Sequence, residues 1–115
     1  MKKILTSAVL LATVLLFQFC SNTKKAAGAS STAVTYASSV KGIIETSCAP
    51  CHIAGKGNKK SLDNYDAAKN SIDDIIARIQ KNPGEHGFMP AMNPKLSDAD
   101  IAAFVNWKNS GLKEN

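Results

Sequence analysis

Apolar residues recur at helical spacing in separate parts of the chain. Val40, Ile43 and Ile44 stand at i, i+3 and i+4, which predicts a first helix over residues 36–46. A short second helix is predicted over residues 62–69. No segment alternates convincingly between apolar and polar residues, so the pattern predicts an all-α domain of three to four helices.

A third helix is predicted to begin after Ser71 and to end near Lys81. Ser71 is the expected N-cap, and Asp74 stands at the capping-box position three residues later. The apolar side of this helix consists of Ile72, Ile75, Ile76 and Ile79. We therefore expect a one-sided helix that packs on the core.

The last helix has the clearest predicted start. Ser97 is the expected N-cap with Asp100 at N3, and Leu96 can pack against Ile101 one turn into the helix. Gly111 is expected to end this helix. Its predicted apolar face consists of Ile101, Phe104 and Val105, with Trp107 beside them. The preceding residues, 82–95, contain three of the four prolines and predict an irregular but stiff loop.

The N-terminal part differs in composition from the rest. Residues 1–20 have two early lysines and then an apolar run that ends at Cys20, the layout of a secretion signal. An uncleaved anchor helix is the alternative. Residues 21–33 are small and polar and predict a flexible tether. Residues 34–115 are left as the single folded domain, and the chain is expected to be exported.

The net charge of +5 does not indicate a nucleic-acid-binding protein. Four of the basic residues precede residue 34, whereas residues 34–115 hold nine lysines and one arginine against nine acidic residues, a net charge of +1. The folded part shows no basic stripe interleaved with aromatic residues.

Residues 48–52 read CAPCH, the Cys-x-x-Cys-His pattern of covalent haem attachment. On a helical turn, positions i, i+3 and i+4 share a face, so the thiols of Cys48 and Cys51 and the imidazole of His52 can reach one flat ligand. A thioredoxin-like pair lacks its βαβ pattern here, and a zinc site lacks a second cluster. A plain disulfide leaves His52 unexplained. The motif therefore predicts one covalently bound haem c, with His52 on the iron.

The order of these elements resembles the small monohaem class I cytochrome c family of bacteria. The likeness covers residues 36–111: a helix, CAPCH, a middle helix, a Met-Pro loop at Met89, and a closing helix that reads LSDADIAAFVNWKNSG. The resemblance implies a cytochrome c-like fold around one haem, with ligands at Cys48, Cys51, His52 and Met89. Many members orient the proximal imidazole with the carbonyl of a Gly-Pro pair. Here the corresponding stretch, IAGKGNKKS, has no proline.

Three side chains of the irregular loop are candidates for the sixth iron ligand. Met89 is predicted, because Pro90 restricts the backbone beside it. Met92 and His86 are the alternative ligands. The ordinary roles of such residues are different: a methionine can fill the core, and a loop histidine can be solvated. Cys20, the cysteine left after haem takes two, is a candidate for lipidation, although Phe19 stands where a small residue is usual.

The resemblance implies single-electron transfer without enzymatic activity. We expect a periplasmic monomer that exchanges electrons with redox proteins as donor and acceptor, anchored to the membrane by lipid at Cys20. The alternatives are a haem-based sensor of small ligands and a haem subunit of a larger oxidase complex. Lys56, Lys59 and Lys60 follow the motif and are either a docking surface for an acidic partner or a solvated loop.

Overall fold

The computed structural model describes residues 33–115, so the predicted secretion signal, nearly all of the tether, and Cys20 lie outside the described residues. Within this range the fold is all-α, as predicted. The elements are a π-helical segment at Tyr36–Val40 that runs into α1, Lys41–Ser47, and then α2, Tyr65–Asn70, α3, Ile72–Ile79, and α4, Asp98–Asn109. No helix among the described residues has the length and apolar character needed to cross a membrane.

The first helical unit begins where the sequence predicted it. Thr35 caps it: its side-chain oxygen accepts from the Ser38 amide at 3.1 Å, and the Ser38 hydroxyl accepts from the Thr35 amide at 3.2 Å. This reciprocal pair satisfies two amides that have no partner inside the helix. Val40 and Ile44 are fully buried, so the predicted apolar stripe faces the core.

The predicted capping role of the Ser71 side chain is wrong. Ser71 stands at the N-cap of α3, but its side chain makes no capping hydrogen bond. Its backbone (φ −116°, ψ 6°) also ends α2, so it does not adopt the extended conformation in which a cap side chain reaches forward. α3 ends at Ile79, two residues before the predicted Lys81, and the short helix before it starts after a cap by Asn64.

Both ends of α4 follow the sequence prediction. The Ser97 side-chain oxygen accepts from the Asp100 amide at 3.1 Å. At the other end Gly111 has φ +89°, a conformation that favours glycine. The amide of Leu112 bonds to the Trp107 carbonyl at 3.1 Å, and that of Gly111 to Lys108 at 3.2 Å, the two bonds of a Schellman motif.

Trp107 lies at the centre of the core, whereas the sequence predicted it beside the apolar face of α4. It is fully buried, and its ring contacts that of Tyr36 in a tilted arrangement, with 5.8 Å between centroids, and that of Tyr65 edge-to-face, with 6.3 Å. The Lys113 carbonyl accepts from both the Trp107 indole and the Tyr36 amide, each at 2.8 Å. The C-terminal segment thereby ties α4 to the first helical unit.

Candidate functional site

A cavity of about 450 Å³ lies beside the CAPCH motif. This volume is within the range of about 300–1,000 Å³ that is usual for ligand pockets. Its apolar wall comes mainly from α3, and the motif and the irregular loop after α3 close other sides. The side chains with sulfur or imidazole that line it are Cys48, Cys51, His52, Met89 and Met92.

The motif forms a turn that directly continues α1. The Cys48 amide donates to the Ile44 carbonyl at 3.0 Å, and the His52 amide donates to the Cys48 carbonyl at 3.0 Å. Both thiols are free rather than joined to each other. Burial raises the pKa of Cys48 to about 11, so this thiol is protonated and uncharged at neutral pH.

A backbone carbonyl orients His52. The Nδ1 atom of His52 lies 2.7 Å from the carbonyl oxygen of Lys60. Because a carbonyl can only accept, Nδ1 carries the proton in this bond, which leaves Nε2 outside it. The Lys60 carbonyl therefore orients the imidazole, the role of the Gly-Pro carbonyl in many members of the family that the sequence resembles. The sequence has no proline at this point.

The loop that brings Lys60 to His52 passes close to the motif backbone. The Lys59 amide donates to the Cys51 carbonyl at 3.2 Å, and the Leu62 amide to the His52 carbonyl at 2.9 Å. At Gly57 a Cβ atom would lie 2.1 Å from the Cys51 carbonyl oxygen, so a side chain has no room. The glycine is required by this close approach of two backbone segments.

The three candidate sixth ligands take different positions. Met89 is half-buried and lines the cavity. Met92 also lines it, but its side chain is 83% exposed. His86 is exposed and does not line the cavity; the Lys81 ammonium group donates to its carbonyl oxygen at 2.9 Å. The fold thus brings both methionines to the motif and leaves His86 outside.

Asn93, which the sequence did not single out, joins the irregular loop to the motif. Its side-chain amide donates to the carbonyl oxygens of Ser47 at 2.8 Å and Ala49 at 3.0 Å. Ser47 is the last residue of α1 and Ala49 follows it, where carbonyl groups no longer have partners within the helix. The bonds are long-range in sequence, so no local pattern could have predicted them.

The wall formed by Leu62 before α2, by the α2–α3 junction and by α3 combines apolar and polar groups. Leu62, Ile75 and Ile79 are buried and line the cavity. The Ser71 hydroxyl, on the same wall, is buried without a hydrogen-bond partner among the described residues. Arg78 and Asp74 also line the cavity and pair through Nε and both carboxylate oxygens at 2.8 Å.

Comparisons with known proteins identify a family and a relative. The family model described as "Cytochrome C oxidase, cbb3-type, subunit III" matches residues 36–107. A curated relative, cytochrome c6 of Microcystis aeruginosa, is 33% identical over 73 residues, which covers 56% of this chain and 84% of the relative. No solved structure matches the chain significantly.

The chain belongs to the family of that model and is a small monohaem class I cytochrome c. Its cofactor is covalently bound haem c, and its general activity is haem-based electron transfer; proteins of this family are electron carriers and generally not enzymes. The cavity fits this group, because two free thiols, an oriented imidazole and apolar walls line it.

Proposed function

We propose that the protein transfers single electrons through a haem held by Cys48, Cys51, His52 and Met89. The thiols of Cys48 and Cys51 would hold the haem through thioethers to its vinyl groups, and His52 Nε2 and Met89 Sδ would bind the iron. The observation that carries the proposal is that all four residues line one cavity. The bond from His52 Nδ1 to Lys60 supports it, because it leaves Nε2 available.

When bound, haem supplies the iron that accepts and releases one electron. The protein keeps the ligands in place, so that their geometry changes little between the two oxidation states. His52 is held by the Lys60 carbonyl, and Met89 by a loop bonded to α3 at one end and to the motif at the other. A thioether ligand in apolar surroundings raises the reduction potential relative to two imidazoles.

Met89 is preferred over the two alternatives because its backbone is held beside the cavity. Its amide donates to the Arg78 carbonyl at 3.3 Å, and Pro90 restricts its conformation. Met92 lines the same cavity but is not directly followed by a proline. His86 stands outside the lining residues. Met92 and His86 therefore remain second choices for the sixth ligand.

Exposure of the reduced protein to carbon monoxide tests electron transfer against small-ligand sensing. With His52 and Met89 on the iron, no coordination position is open, and the visible spectrum should stay unchanged at neutral pH. Rapid formation of a carbon monoxide adduct by the native protein would instead identify an open sixth position and a sensor. Partial unfolding in denaturant provides the positive control, since it breaks the weak bond between the iron and the methionine sulfur and opens the sixth position.

A haem subunit of a larger oxidase complex is a second candidate, favoured by the description of the matching family. Purification of the tagged protein under mild detergent distinguishes the two. Stoichiometric recovery of membrane subunits with the tagged protein indicates the oxidase subunit. Recovery of the protein alone indicates a separate carrier that meets its partners in transient contacts.

We infer that residues 1–20 are a secretion signal of lipoprotein type, residues 21–33 a tether, and residues 34–115 the cytochrome c domain. The protein is then a periplasmic monomer attached to a membrane by lipid at Cys20. Its partners are redox proteins as electron donor and acceptor. The apolar run that ends at Cys20 and the small, polar composition of residues 21–33 support this arrangement.

A further inference from the structure

The carbonyl that orients His52 belongs to a loop without regular structure. The peptide group between Lys60 and Ser61 contains this carbonyl, so its tilt depends on how Ser61 is held. Bonds from the amides of Lys59 and Leu62 to the motif backbone fix the chain on either side. The remaining freedom is rotation of the peptide group between Lys60 and Ser61. This rotation sets the direction of the Lys60 carbonyl oxygen.

The Asp63 carboxylate holds this part of the loop with both oxygen atoms. Its Oδ1 accepts a hydrogen bond from the Ser61 hydroxyl, and its Oδ2 accepts from the Ala54 amide at 3.0 Å. Ala54 is two residues after His52, and Ser61 directly follows Lys60. One carboxylate therefore joins the segment that carries the imidazole to the segment that carries its acceptor.

The ionised form of Asp63 is the one that makes these bonds. The hydrogen bond from Ser61, then the bond from the Ala54 amide, and more weakly the charge of Lys56 hold the pKa of Asp63 below its usual value. The clamp is consequently in place at neutral pH, and hydrogen bonds to a charged acceptor are stronger than those between neutral groups.

We propose that Asp63 is a positioning residue for the proximal ligand, acting through Ser61 to hold the Lys60 carbonyl against His52 Nδ1. The inference rests on the proposed ligation of iron by His52. A hydrogen bond from Nδ1–H makes the imidazole a more basic ligand, which favours oxidised iron and lowers the reduction potential. Loosening the clamp weakens that bond and raises the potential.

Four variants of the haem-loaded protein separate geometry from charge. Ser61→Ala removes the link without changing charge, and Ser61→Thr keeps the hydroxyl as its matched control. Asp63→Asn removes the clamp together with one charge, and Asp66→Asn removes an exposed charge from α2 nearby. For each, the reduction potential and the solvent exchange rate of the His52 Nδ1 proton in the reduced protein are measured.

Ser61→Ala should raise the potential and speed exchange of the His52 proton, and Asp63→Asn should do both more strongly. Ser61→Thr and Asp66→Asn should stay close to wild type in exchange. Wild-type values for both measurements in Ser61→Ala would overturn the proposal, and so would equal shifts in Asp63→Asn and Asp66→Asn. Failure of the proposed function looks different: the His52 ring protons of the wild-type protein would then lack the large ring-current shifts of an axial ligand.

Discussion

The backbone amide of Met89 donates a hydrogen bond across 3.3 Å to the carbonyl oxygen of Arg78. Arg78 lies in the last turn of α3, where carbonyl groups lack the usual donor four residues on. This bond fixes the backbone of Met89 beside the helix that supplies Ile75 and Ile79 to the cavity. Together with the bonds made by Asn93, it holds the loop on both sides of Pro90.

Covalent attachment through both thiols can be tested by extraction. Acid–acetone should leave haem on the wild-type polypeptide, because thioether bonds survive conditions that break the iron–ligand bonds. The Cys48→Ala/Cys51→Ala double variant should release any haem that it binds into the organic phase. Complete extraction from the wild-type protein would show that the motif is not an attachment site.

Replacement of Gly57 by alanine should destabilise the domain. A Cβ there would lie 2.1 Å from the Cys51 carbonyl oxygen and 2.4 Å from that of Pro50, so the backbone must shift. We expect a loss on the order of 1–3 kcal/mol in the free energy of unfolding, the usual range for such forced shifts. Chemical denaturation of the purified protein measures it.

Gly42→Ala is the matched control for this effect. Gly42 is an exposed residue of α1, and a Cβ there meets no atom within 4 Å. Alanine should stabilise the helix by up to about 1 kcal/mol, since glycine is the less favourable helix residue. Equal effects of the two substitutions would mean that the close approach at Gly57 does not constrain the loop.

The residues that sequence reasoning missed act through contacts that form when loops meet the motif. The helices, their apolar sides and the ends of α4 followed from spacing and capping patterns, which are local. Asn93, Gly57 and Asp63 could not be predicted in the same way, because their roles appear only when the loops fold back on the motif. Ser71 failed as a predicted cap because it also ends α2, and its backbone is therefore not extended.

Acid should remove the stabilisation that Asp63 provides. Its pKa in the folded protein is lowered, first by the bond from Ser61, whereas the unfolded value is about 3.9. Its contribution is therefore complete above that value and is lost as the pH falls through the folded pKa. The difference in unfolding free energy between wild type and Asp63→Asn should be largest near neutral pH and shrink in acid.

Ser61→Ala serves as the comparison for the acid experiment. It removes the largest cause of the lowered pKa but keeps the bond from Ala54. Its stability should therefore depend on pH less than that of the wild-type protein and more than that of Asp63→Asn. A wild-type-to-Asp63→Asn difference that stays constant from neutral pH into acid would contradict the assignment.

Lipidation at Cys20 predicts the form of the mature protein. The mature chain should begin at Cys20 and carry acyl groups, because this cysteine ends the apolar run and precedes the predicted tether. Mass spectrometry of protein extracted with detergent reports the cleavage point and the acyl chains together, and Cys20→Ser should move the protein to the soluble fraction. A wild-type chain that starts near residue 30 and needs no detergent would exclude the anchor.

The proposed electron transfer depends most on Met89 as the sixth ligand, and the spectrum of the oxidised protein tests this assignment directly. A thioether–iron bond gives an absorption band in the far red. Met89→Ala should abolish this band and lower the reduction potential, whereas Met92→Ala should keep both at wild-type values. A band that persists in Met89→Ala and disappears in Met92→Ala would contradict the assignment.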